Sequence, residues 1–398
     1  MDFTISLHKV ILKEGSLWVV MKILLPILTA LVASPLLISA SEIDIPQIKK
    51  SQVDPIAASP AVEICFVLDT TGSMSGLIAA AKLKIWSIAN ETVSYKPKEI
   101  RFGLIGYRDR GDQYITQKTE LTNDLDAVHA ALAVYSAGGG GDGPESVNQA
   151  LKEAVSDIKW SVDPKVRRLI FLVGDAPPHM DYEQEMQYPE ACKLAQEKGI
   201  SINTILCGSD TQTAEIWKKI ADQGKGQYAT IPQAGGAVAI KTPFDKELNS
   251  LSVSLNSTVV FWGDHEQKGG LKSKLDAINN APAESQATRA KYATENYKPG
   301  QVISGRGDLV NDFFGDDISL EDIKVEQLEG DLKGLSGKKL EAKLKEKKAE
   351  RDQIQKQVAE LTKKRNSFIE VESKKAGENK AKDSFDAKIT EILKEQLK

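Results

Sequence analysis

At 398 residues, 41% apolar and 27% charged, the chain has room for two or three regions and the make-up of a folded globular protein, not of a fibrous or wholly disordered one. The net charge of −4 is unevenly spread: residues 331–398 carry 19 Lys/Arg against 13 Asp/Glu, leaving 33 basic and 43 acidic residues before them. An acidic body argues against a nucleic-acid partner and suits cation binding.

The first segment, residues 1–40, reads as an export signal. Met21-Lys22 precedes the apolar stretch Ile23–Ile38, followed by Ser39-Ala40, and Met21 is an alternative start. The expected location is therefore periplasmic, cell-surface or secreted. Leu17–Ala40 is also nearly long enough to span a bilayer, so attachment to a membrane through this segment is the alternative. Residues 41–60, with Pro46, Pro55 and Pro60, read as a linker.

From residue 61 to 257 strands and helices alternate. Val62–Leu68 is an apolar strand, and Ser75–Val93 a helix with Ile78, Ala81, Ile85 and Ala89 at helical spacing. Ile100–Gly106 is a strand with Tyr114–Leu121 beside it as an edge hairpin, then a helix at Asp124–Tyr135. A second helix starts at Pro144 with Val147, Leu151, Ala154 and Ile158 on one face. Strand Arg168–Val173, helix Glu183–Glu197, strand Ile202–Leu206, helix Thr213–Ala221, strand Gln227–Ile231 and helix Phe244–Leu255 follow. Such repeated units imply an α/β fold, a doubly wound and mostly parallel sheet with helices on both faces. Residues 258–330 read as a small extension, with Val259–Trp262 as a short strand; the Arg306-Gly307-Asp308 tripeptide there is common by chance. In residues 331–376 the positions Leu340, Leu344, Lys347, Arg351, Ile354, Val358, Leu361, Arg365 and Phe368 step by four and three, a heptad seam that makes self-association through residues 338–370 an expectation. Residues 377–398 end the chain as an amphipathic helix.

Four polar segments fall in the loops of this sheet: Asp69-Thr70-Thr71-Gly72-Ser73, Tyr107-Arg108-Asp109, Gly141-Asp142-Gly143-Pro144-Glu145 and Asp175-Ala176-Pro177-Pro178-His179. In a parallel sheet, ligands bind outside the carboxyl ends of the strands where strand order reverses. If the strands ending at Leu68 and Val173 are neighbours there, Asp69 and Asp175 face each other across a nest of hard oxygen donors suited to Mg²⁺. The run Gly138–Gly141 lets a loop approach the same place.

These segments make residues 61–257 resemble the von Willebrand factor type A domain family, and most closely its subgroup with DTTGSM, YRD, GGDxPE and DAPPH segments. The resemblance implies a metal-ion-dependent adhesion site in which Asp69, Thr71, Ser73 and Asp175 hold Mg²⁺, with Mn²⁺ and Ca²⁺ as alternatives. The family places a Thr in the loop before the Pro144 helix; Glu145 stands nearest that position here, with Asp142 three residues earlier, so both join the candidate metal set. The implied function is metal-dependent protein binding, in adhesion or complex assembly, with an acidic residue of the partner completing the coordination. Arg108, Asp109, Arg110 and His179 are the expected partner-binding rim.

Enzyme readings fare worse. A haloacid-dehalogenase-like phosphatase needs an Asp two residues after Asp69, where Thr71 stands. Met74 occupies the centre of what would be a Gly-x-Ser-x-Gly elbow around Ser73. The glycine run lacks the Lys-Ser/Thr of a phosphate-binding loop. The chain is thus expected not to be an enzyme; a Mg²⁺-dependent hydrolase and a coiled-coil scaffold with an idle metal site are the alternatives. Cys65, Cys192 and Cys207 have no metal-binding spacing and read as buried thiols.

Overall fold

The computed structural model describes residues 60–141, 143–237, 240–315, 317–328, 330–375 and 382–398. The expected export segment 1–40, the linker 41–59 and Asp142 therefore lie outside the described residues.

Six strands form one sheet: β1 (Val62–Asp69), β2 (Ile100–Tyr107), β3 (Thr116–Thr122), β4 (Arg167–Gly174), β5 (Ile200–Cys207) and β6 (Lys225–Ile231). Their order is β3-β2-β1-β4-β5-β6, and only β3 runs antiparallel, as the edge hairpin on β2. Strand order reverses between β1 and β4, so the β1/β4 crevice is the switch point.

Side chains alternate across each strand, which explains why the central strands are apolar throughout. Ile64, Phe66 and Leu68 of β1 with Leu169, Phe171 and Val173 of β4 build one core; Cys65, Val67, Ile170 and Leu172 build the other. The first core is covered by α1 (Ser75–Ser94) and α2 (Leu125–Ala133), the second by α3 (Val147–Ser156), α4 (Tyr188–Glu197) and α5 (Thr211–Gln223). The helix expected at Pro144 begins at Val147, because Glu145 is drawn into a bridge with Pro178 before the helix can start. All three cysteines are buried and free.

The remaining helices are α6 (Asp245–Ser257), α7 (His265–Asn280), α8 (Ala283–Asn296), α9 (Leu309–Phe314), α10 (Gly337–Lys375) and α11 (Phe385–Gln396). Three expectations change here. The sheet is not closed by α6, which packs on α8 and α10; α11 does that work, burying Phe385, Ile389, Ile392 and Leu393 in the first core beside Phe66. In residues 258–330 the short strand expected at Val259–Trp262 is not formed among the described residues. Two amphipathic helices, α7 and α8, lie against α2 and α1, and Phe261 makes only an isolated bridge to Asp308. Much of the heptad seam is covered within the chain: Leu340 and Leu344 are buried among Val260, Leu309 and Leu332, while Val358 and Leu361 pack on Leu248, Ala287 and Ala290. Periodicity identifies an apolar stripe but not what covers it, and the cover here is the chain itself. Asp308 of the Arg-Gly-Asp tripeptide is fully buried against Arg351.

Because α11 is core, deleting residues 382–398 should abolish the cooperative thermal transition of the whole sheet domain. A truncated chain melting like the parent would contradict this packing.

Candidate functional site

Pairing sets the geometry. Asp69 is opposite Tyr107 in β2, and Leu68 is opposite Val173 in β4, which places Gly174 level with Asp69. Asp69 and Asp175 thus leave adjacent strands at the switch point, as the sequence implies. Asp69 is fully buried and Asp175 half-buried. One Asp69 oxygen, Oδ1, accepts from the Thr71 backbone N–H (2.8 Å) and the Thr71 hydroxyl (2.7 Å), and the Thr71 and Ser73 hydroxyls lie 3.4 Å apart. Asp175 Oδ2 accepts from Gln233 Nε2 at 2.6 Å.

Three loops are tied together over this place. Gly72 N–H donates to Gly139 O and Gly138 N–H to Thr70 O, both at 3.1 Å. Gly139 and Gly140 have φ of 76° and 75°, left-handed values natural to glycine, and Gly140 N–H donates to Asp112 Oδ2 at 3.0 Å. Glu145 N–H donates to Pro177 O (2.9 Å), and His179 N–H to Glu145 O (3.1 Å). That pairing carries the Glu145 side chain inward: it is 4% exposed, beside Thr71 and Gly140.

The electrostatics are unusual for a loop cluster. Burial pushes the Asp69 carboxyl up to about 7, against the pull of the Thr71 hydrogen bonds and with a further push from Asp175. Burial, then the charges of Asp69, Asp109, Asp112 and Asp175, push Glu145 up to about 9. Asp69 Oδ2 and Glu145 Oε2 are buried without a hydrogen bond of normal geometry, although the Asp175 backbone N–H leans toward the Asp69 carboxylate. Among the described residues no Lys or Arg pairs with Asp69, Glu145 or Asp175. Carboxylates confined together, with oxygens left over, are what a hard cation would relieve. Among the described residues no three Asp, Glu, His or Cys side chains close on one point, so a cation here would need the Thr71 and Ser73 hydroxyls as well as carboxylates.

The expected rim differs from the expectation. Arg108 is buried; its Nε donates to Thr70 O (3.1 Å) and its Nη2 to Ser136 O (2.7 Å), and it stacks on Tyr114. Asp109 is buried too, accepting from Ser146 Oγ (2.9 Å) and Tyr182 OH (3.0 Å). His179, also buried, places Nδ1 2.8 Å from Asp181 Oδ1 and Nε2 3.5 Å from Asp109 Oδ2, and stacks on Tyr182. Arg110 covers the Tyr182 ring and pairs with Glu185 at 2.7 Å. These four residues tie the loops together: Arg108 supplies donors to backbone carbonyls, Asp109 accepts from hydroxyls, and His179 and the partly exposed Arg110 face neighbouring carboxylates. Asp112 and Gln233 belong to the site without having been singled out; Asp112 had a sequence signal, an acidic residue five positions after the end of β2.

Comparison with known proteins agrees with this geometry. Residues 63–243 match the family model described as von Willebrand factor A domain. The chain is 31% identical over 127 residues to Alpha-protein kinase vwkA of Dictyostelium discoideum, covering 31% of this chain and 20% of that protein. It is 34% identical over 120 residues to von Willebrand factor A domain-containing protein 7 of Rattus norvegicus, and 33% to that of Homo sapiens, covering 30% of this chain and 12% of each relative. The chain thus spans a fifth or less of these relatives' length. Among solved structures, proximal thread matrix protein 1 from the mussel byssus aligns with a TM-score of 0.33 and 15% identity, over 44% of this chain and 43% of that one; nothing further rests on that likeness. Sheet order, switch-point loops and family match agree: across residues 63–243 this chain carries a von Willebrand factor A domain.

Proposed function

We propose that the chain is a divalent-cation-dependent protein-binding module of adhesion or complex assembly, and not an enzyme. The observation that carries the reading is the pair of buried carboxylates, Asp69 and Glu145, each with an oxygen lacking a hydrogen bond of normal geometry and with no Lys or Arg paired to it among the described residues. Asp69, Thr71, Ser73 and Asp175 would hold Mg²⁺ (or Mn²⁺ or Ca²⁺), with Glu145 and Asp142 adding charge. When bound, the cation supplies a hard Lewis-acid position at the sheet edge, open to an acidic side chain of a partner protein. The chain's own part is rigidity: Thr71 fixes one Asp69 oxygen, the glycine loop shields the place from above, and the Glu145–Pro178 bridge holds the third loop in register. The composition of residues 21–40 supports a site of action outside the cytoplasm; no helix among the described residues is long and apolar enough to cross a membrane.

Calorimetry tests the cation. Asp69→Ala should weaken Mg²⁺ or Mn²⁺ binding by at least the 10- to 100-fold (roughly) lost with outer-shell partners of metal sites. Equal affinity in parent and variant would sink the reading. Retention of extracellular proteins on the immobilised parent should depend on Mg²⁺, vanish with chelator and vanish with Asp69→Ala.

A further inference from the structure

Tyr107, Asp69 and Gly174 stand abreast on three neighbouring strands, β2, β1 and β4. The alternation along the strands puts Tyr107 on the face with Ile105, Val67, Ile170 and Leu172. Its ring is fully buried, and its hydroxyl reaches across Asp69 to the one neighbour without a side chain. A Cβ on Gly174 would lie 2.5 Å from the Tyr107 hydroxyl, 2.9 Å from Asp69 Cβ and 3.0 Å from Asp69 Oδ2. Phenol tip and carboxylate oxygen therefore both close on Gly174, where only the absence of a Cβ leaves room for them. One is a donor and the other an acceptor, and neither has a hydrogen-bond partner.

We propose that Tyr107 is a positioning residue for the cation site, its hydroxyl turning to donate to the second oxygen of Asp69 when the cation is bound, so that the carboxylate is held in place. This rests on the cation reading above. A phenol suits the task because it offers a hydrogen without adding charge.

Tyr107→Phe keeps the ring and removes only the hydroxyl. Mn²⁺ titration by calorimetry should show affinity lowered about 10- to 150-fold, as expected for loss of one hydrogen bond to a charged group. The melting temperature in chelator should stay the same or rise, since a buried polar atom is lost. In the parent, Mg²⁺ should also produce an ultraviolet tyrosine difference spectrum that Tyr107→Phe lacks. Mn²⁺ affinity equal to the parent's would overturn the proposal, as would a loss of affinity matched by lower stability in chelator, which marks a packing role. Asp69→Ala separates the two readings. If the parent binds Mn²⁺, Asp69→Ala does not and Tyr107→Phe binds as the parent, only the role of Tyr107 falls; if the parent itself does not bind, both readings fall.

Discussion

Arg351→Ala should destabilise the chain by about 3–5 kcal/mol, the cost of stranding a buried charge. Arg351 is fully buried in the middle of α10. Its guanidinium donates to Asp308 Oδ2 (2.8 Å) and Oδ1 (2.9 Å), Thr258 Oγ1 (2.8 Å) and O (2.7 Å), and Asn311 Oδ1 (3.1 Å). One side chain thus joins the long helix to the end of α6 and the start of α9. Alanine leaves the Asp308 carboxylate without its counter-charge. Denaturant unfolding should show the midpoint fall at an unchanged slope, and Asp308→Asn in the Arg351→Ala background should recover part of the loss. A change below about 1 kcal/mol would mean that solvent reaches the pair and screens it.

The second large effect concerns acid. Asp126, in α2, is fully buried. Burial pushes its carboxyl up, yet the Arg289 charge and hydrogen bonds, with those from Ser304 N–H and Tyr297 OH, outweigh burial and hold it at about 2. Arg289 Nε and Nη2 donate to its two oxygens at 2.6 and 2.9 Å. A carboxylate depressed on folding contributes stability that is fully present above its ordinary value near 4. It is lost as pH falls from there through about 2. The contribution is about 2 kcal/mol, from a shift of nearly two pH units. Stability measured at pH 6 and again near pH 2 should drop by that much more in the parent than in Asp126→Asn, and Arg289→Met at pH 6 should cost about 3–5 kcal/mol. Parallel pH profiles for parent and Asp126→Asn would refute the assignment.

The sheet was legible because its strands are apolar runs ended by polar loops. Leu68-Asp69 and Val173-Gly174-Asp175 mark strand ends in the sequence, and βα alternation allows few orders in which they meet. The burial of Glu145 was not legible. It follows from the backbone bridge to Pro178, a contact between loops with no local signature. Arg108 looks like a surface charge because nothing in Tyr-Arg-Asp tells that the carbonyls of Thr70 and Ser136 need a donor. Tyr107 reads as the first residue of the polar segment after its strand, whereas it is the last residue of β2, and only the glycine two strands away gives its hydroxyl a role. For α10 and α11 the spacing named the buried faces correctly, Leu340–Leu344 and Phe385–Ile389, while their partners lie far away in sequence and leave no trace in it.

The closing of the sheet by α11 has a consequence for biogenesis. During synthesis, every strand from Val62 to Ile231 is made before Phe385 exists, so the hydrophobic flank of β1 and β4 stays without its lid while α6 to α10 are still being translated. A nascent chain of this design reaches its final shape late, in one step that joins both ends of the domain.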